Sequence, residues 1–106
     1  MKKPDEKLLN EVVTRINKAV QPVRIILFGS AARAEMTQYS DLDLLVVMPN
    51  GTHRRSASHT VYRALRGLGV SKDVIVVTEQ DVAEYRNNPS LVLKPALEEG
   101  RELYAA

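Results

Sequence analysis

The sequence predicts an α/β protein (α+β by some schemes), built as a small mixed β-sheet flanked by helices. Three observations carry this. Short β-branched apolar runs at residues 23–28, 42–48 and 73–77 read as buried strands. Amphipathic stretches whose apolar residues recur every three or four positions flank and separate them. The link from the second run to the third holds a whole helix, and a crossover of that kind joins parallel strands in a right-handed sense. The link from the first run to the second is about 13 residues and could run either way on length alone.

The elements follow in order. Leu8, Leu9, Val12, Val13, Ile16, Ala19 and Val20 form one stripe, which predicts a helix over residues 5–20. Asp5 and Glu6 suit the positive end of its dipole, and Pro22 ends it. The strand over 23–28 stops at Gly29, and Ser30 is placed to cap a short helix over 31–35. After the strand over 42–48, Pro49-Asn50-Gly51 makes a turn. A helix over residues 53–68 follows, with Ala57, Val61, Leu65 and Leu68 on one face and Gly67 and Gly69 near its end. Beyond the third strand, Thr78 and Asp81 signal a helix through residue 85 or 86, and Asn87-Asn88-Pro89 breaks it. Ser90 opens a further helical stretch in which Pro95 forces a kink or a restart, and Gly100 stops it. Residues 102–104 add a short edge strand.

The 106 residues make one domain, expected to span 1–106, with one modest core. Apolar residues are 44% and charged residues 26%, ordinary values for a globular protein. A net charge of +2 is too small to argue for nucleic acid, so direct nucleic-acid binding is not expected. The absence of cysteine excludes disulfides and thiolate metal sites and suits a reducing compartment. No apolar run approaches the roughly 20 residues that cross a bilayer. The first six residues lack the apolar core of a signal peptide, so the expectation is a cytoplasmic protein without a membrane partner.

Asp41 and Asp43 open the second strand although carboxylates are poor strand formers. Two positions apart on a strand, they leave the same face. Asp73 opens the third strand and would stand at the same end of the sheet if the two strands are parallel. Neighbouring strands lie about 4.8 Å apart, so three carboxylates could share one cation. If the first strand is antiparallel to the second, Gly29 and Ser30 arrive at that end too. Glycine lets backbone amides approach a ligand, and a helix N-terminus favours phosphate. Oxygen donors of this kind favour magnesium or manganese. Two such ions could activate an attacking oxygen and stabilise a leaving pyrophosphate. In that arrangement Asp41 and Asp43 hold the metals, and Asp73 completes a shell and accepts the attacking hydroxyl's proton.

Gly29-Ser30 followed after ten residues by Asp41-Leu42-Asp43 resembles the signature of the nucleotidyltransferase superfamily that includes DNA polymerase beta. The fuller stretches 28–33 and 40–44 are similar to the minimal nucleotidyltransferases, many of them antitoxins paired with a HEPN-domain toxin. The strand 73–77 resembles the strand of the third acid, and 100–104 the usual tail, so the likeness runs from about residue 23 to 104. Ala34 departs from the glycine common there. The resemblance implies a palm-like fold, two Mg2+ ions (or Mn2+), ATP as substrate and transfer of AMP with loss of pyrophosphate. It implies a HEPN-type toxin as partner, silenced through a tyrosine hydroxyl. It makes Gly29, Ser30 and Arg33 the nucleotide-binding residues and Asp41, Asp43 and Asp73 the metal-binding and catalytic ones. A chain of this length has little room for an acceptor domain. The alternatives are an antitoxin that works by covering its toxin, and a transferase acting on a small molecule or an RNA end.

Other residues read more plainly. Arg33 binds phosphate or pairs with Glu35. Glu79 and Asp81 come after the third strand and fit the cation site less well than Asp73. His53 and His59 lack a matching ligand set and read as surface positions. Arg54, Arg55, Arg63 and Arg66 read first as a solvated helix face and second as a basic face for an acidic partner or RNA.

Overall fold

The computed structural model describes residues 5–29, 42–85 and 93–106. The expected cap at Ser30, the helix over 31–35 and the break over 87–89 lie outside them. Helix α1, Glu6–Val20, starts where the Asp5 side chain accepts the Lys7 amide at 2.9 Å and buries Leu9, Val12 and Ile16. It ends at Gln21, a non-glycine residue in the left-handed region (φ 52°) whose amide reaches the Asn17 carbonyl. The chain then runs through β1 (Arg24–Phe28), β2 (Leu42–Met48), α2 (Arg54–Ala64), β3 (Lys72–Thr78), α3 (Glu79–Tyr85), α4 (Lys94–Glu99) and β4 (Arg101–Ala105).

The four strands form one sheet in the order β3-β2-β1-β4. β2 and β3 are parallel, as the crossover through α2 requires. β1 is antiparallel to both β2 and β4, which settles the direction that link length left open. The sheet is therefore mixed, as expected. Its two faces carry separate cores, because strand side chains alternate. Ile25, Leu27, Leu42, Leu44, Val46, Val74 and Val76 pack under α1 and α2. Ile26, Leu45, Val47 and Val77 pack against Leu93, which precedes α4, and Ala96 within it, with Val82 and Tyr85 of α3 alongside. β2 is apolar on both faces from Leu44 onward because it is central and covered on both sides.

One expectation needs correction. The helix predicted over 53–68 ends at Ala64; Leu65 stays fully buried, but the chain turns there, with the Arg66 amide on the Arg63 carbonyl. The apolar repeat outlasts the helix because a turn can bury Leu65 as well as a helix can. Of the kink or restart expected at Pro95, the structure shows a helix start: Pro95 sits in the first turn of α4, where the missing N–H would have had no helical partner. Gly100, at the end of α4, has an ordinary φ of −74°. A Cβ there would meet the Ala96 carbonyl and the Ile26 side chain, so close approach to β1 is what demands glycine. No described helix is long and apolar enough to cross a membrane.

Candidate active site

The register of the sheet decides which residues meet. On parallel strands, Asp43 of β2 stands opposite Asp73 of β3. The two belong to the same face, at the N-terminal mouth of both strands. Behind them on that face come Leu45, Val47, Ile75 and Val77, which join the core under α3 and α4. A hydrogen bond from the Leu42 amide to the Ser71 carbonyl, 2.9 Å, ties the two mouths together. Asp73 is exposed and Asp43 half-buried, so a ligand can reach both from solvent.

β1 delivers the third component. Phe28 pairs with Asp43, so the antiparallel strand ends beside the acids and Gly29 follows against the Asp43 side chain. Gly29 has φ 73°, a conformation L side chains rarely adopt, and a Cβ on it would overlap the Asp43 carboxylate. Backbone and carboxylate are therefore in direct apposition, and only glycine permits it.

A residue that sequence reasoning passed over completes the site. The Tyr62 hydroxyl, on α2, accepts the Val74 amide at 2.9 Å and points to Asp73 Oδ1 at 3.4 Å, a long donation. β3 is an edge strand, so Val74 has an outward N–H that no further strand can bind, and Tyr62 covers it. The available signal was position 62 itself, flanking the buried Val61 and Leu65. Nothing in the linear pattern says that this flank faces the edge of β3.

Of the predicted site residues, the structure brings Gly29, Asp43 and Asp73 together. Ser30, Arg33 and Asp41 lie outside the described residues. Glu79 and Asp81 belong to α3, at the far end of β3. Asp81 secures the start of that helix. Its carboxylate accepts the Thr78 amide at 2.9 Å while Thr78 Oγ1 accepts the Asp81 amide at 3.3 Å. The Thr78 amide, helped by the Arg54 guanidinium at 3.1 Å, holds its carboxyl below the usual range. Arg54 is thus engaged with Asp81. His53 accepts the Ser56 amide through Nδ1 and caps α2, and His59 is exposed, so both are surface positions.

The donors present suit a hard divalent cation: two carboxylates on one face, opposite in register, open to solvent, with a glycine backbone against one of them. Among the described residues no three His, Cys, Asp or Glu side chains gather into one cluster.

Comparison with known proteins meets this geometry from the other side. The family model described as nucleotidyltransferase domain matches residues 6–103. A Methanocaldococcus jannaschii protein, provisionally named a protein adenylyltransferase, is 35% identical over 96 residues, covering 80% of this chain. The chain spans 65% of that relative's length. Among solved structures, the MntA-HepT toxin-antitoxin superposes with a TM-score of 0.65 at 14% identity, over 96% of this chain and 74% of its own. The complex of a tri-AMPylated Shewanella oneidensis HEPN toxin with its MNT antitoxin gives 0.55 at 21% identity, over 95% and 72%. At such identities the two superpositions establish a shared fold.

Proposed function

The chain belongs to the nucleotidyltransferase domain family, and on that premise we propose that it transfers AMP from ATP to a tyrosine hydroxyl of a partner HEPN-type toxin, releasing pyrophosphate and silencing the partner. The observation that carries this reading is the apposition of Asp43, Asp73 and the Gly29 backbone at one mouth of the sheet. A phosphate chain needs close backbone approach, and a cation that accompanies it needs carboxylate oxygens; both are offered within one strand spacing.

In this reading Asp43 and Asp41 hold magnesium, and Asp73 contributes to the same shell. Gly29, Ser30 and Arg33 take the triphosphate. When bound, magnesium supplies the positive charge that offsets the triphosphate and the departing pyrophosphate. Asp73, the exposed acid, receives the proton of the incoming hydroxyl. The hydroxyl oxygen bonds to the α-phosphorus as the bond to the bridging oxygen breaks. The name of the M. jannaschii relative supports adenylyl transfer to protein, and the AMPylated HEPN toxin supports the class of acceptor.

The test is to mix the chain with a HEPN-type protein encoded beside it, ATP and magnesium, and to weigh the partner intact. An added AMP is expected with the parent, and a loss of about a hundredfold or more in rate with Asp43→Asn. A partner of unchanged mass, or an Asp43→Asn variant as fast as the parent, would overturn the reading. Neutralisation in cells by an inactive Asp43→Asn variant would instead point to steric cover.

A further inference from the structure

The outer face of α2 carries a feature that the transfer chemistry does not use. An open groove of about 520 Å3 is lined, among the described residues, by His59, Tyr62, Arg63 and Arg66. His59 and Arg63 are four apart on α2 and so share a face, Arg66 follows in the turn just after the helix, and all three are exposed. Arg15, Arg24, Arg54 and Arg101 are each paired with a carboxylate, at 2.6–3.1 Å. Among the described residues Arg63 and Arg66 have no such partner. The groove wall is also held firmly: Arg15 Nη1 donates to the Ala64 and Arg66 carbonyls at 3.3 and 2.8 Å, fastening the end of α2 to α1. Tyr62 belongs to both places, lining the groove while its hydroxyl lies against Asp73.

We infer that this groove is a docking surface for an acidic polypeptide segment, which it guides so that a hydroxyl within the segment reaches Asp73. The inference deepens the proposed transfer reaction and rests on it for the purpose of docking, though not for the binding itself. The charges argue for this occupant. A segment with acidic residues on one side of a neutral tyrosine or serine meets the arginines in the groove and leaves the neutral residue at the acids. With no cation at the acids, a nucleic-acid strand fits less well, because its unbroken run of phosphates would continue into Asp73 and Asp43.

The experiment measures binding by fluorescence anisotropy, with ATP absent. Three probes are used: a peptide with glutamates on one side of a single tyrosine and neutral residues on the other, its counterpart with lysines in place of the glutamates, and a single-stranded RNA of equal charge to the acidic peptide. The acidic peptide is expected to bind about tenfold or more tighter than the lysine peptide, and to weaken with salt. Arg63→Glu with Arg66→Glu should remove about tenfold of that affinity, whereas Arg63→Lys with Arg66→Lys retains most of it. Equal binding of both peptides, charge reversal without effect in a folded variant, or RNA bound more tightly than the acidic peptide would each overturn the inference. AMP transfer is scored separately. A charge preference without any transfer sinks the reaction and leaves the surface; transfer without a charge preference does the reverse.

Discussion

Asp43 interrupts a strand that is otherwise apolar, and its surroundings explain why it is kept. It faces Asp73 across one strand spacing, and Gly29 turns beside it with no side chain in the way. Substituting Gly29→Ala puts a methyl group into the carboxylate and forces φ 73° on an L residue. The expected cost is about 1–2 kcal/mol in urea unfolding, with nucleotide binding weakened as well. These residues were legible in the sequence because two simple rules apply to them: strand side chains alternate, and glycine marks backbone that has to come close. Tyr62 was not legible, since its role depends on which helix flank meets the exposed edge of β3. Nor could spacing alone tell that Gly100 answers to crowding rather than to a left-handed φ.

At the scale of elements, the parallel β2–β3 pair sets the site and the β3–α3 junction secures its far end. Thr78 and Asp81 cap each other across that junction, as their spacing suggested. Asp81→Ala should destabilise the protein by about 1 kcal/mol. The pH dependence has a definite sign. The Asp81 carboxyl is held below its ordinary value in the folded protein, so its stabilisation is present above the unfolded pKa of about 4 and fades as pH falls through the folded one. The gap in unfolding free energy between parent and Asp81→Ala should therefore narrow between about pH 6 and about pH 3. A gap that widens on acidification would contradict this assignment. The early end of α2 was beyond the apolar pattern because Leu65 is buried either way.

Across the whole molecule, the described residues form a four-stranded sheet with a core on each face. Its strands were legible as apolar runs, and the parallel pair followed from the crossover. The antiparallel direction of β1 was not, because about 13 residues suit either course. Leu44 is fully buried in the core under α1 and α2. Leu44→Ala should cost about 2–5 kcal/mol, read as a fall in the urea midpoint, since no neighbour on a central strand can move in to fill the space. Asp43 stands between Leu42 and Leu44, both fully buried in that core, so the same packing that stabilises the sheet fixes the position of Asp43. The ion pair between Glu6 and Arg101, half-exposed on both sides, links α1 to β4 but stands in water and should matter little to the melting point.

On the proposed function, the acids at the mouths of β2 and β3 hold a metal-bound nucleotide, and titration of the protein with Mn2+ and ATP reads that binding without any acceptor present. Saturable binding is expected in the parent, falling by about 10- to 100-fold in Asp43→Asn with Asp73→Asn while the unfolding midpoint stays in place. Undiminished Mn2+-ATP binding by that folded double variant would contradict the claim.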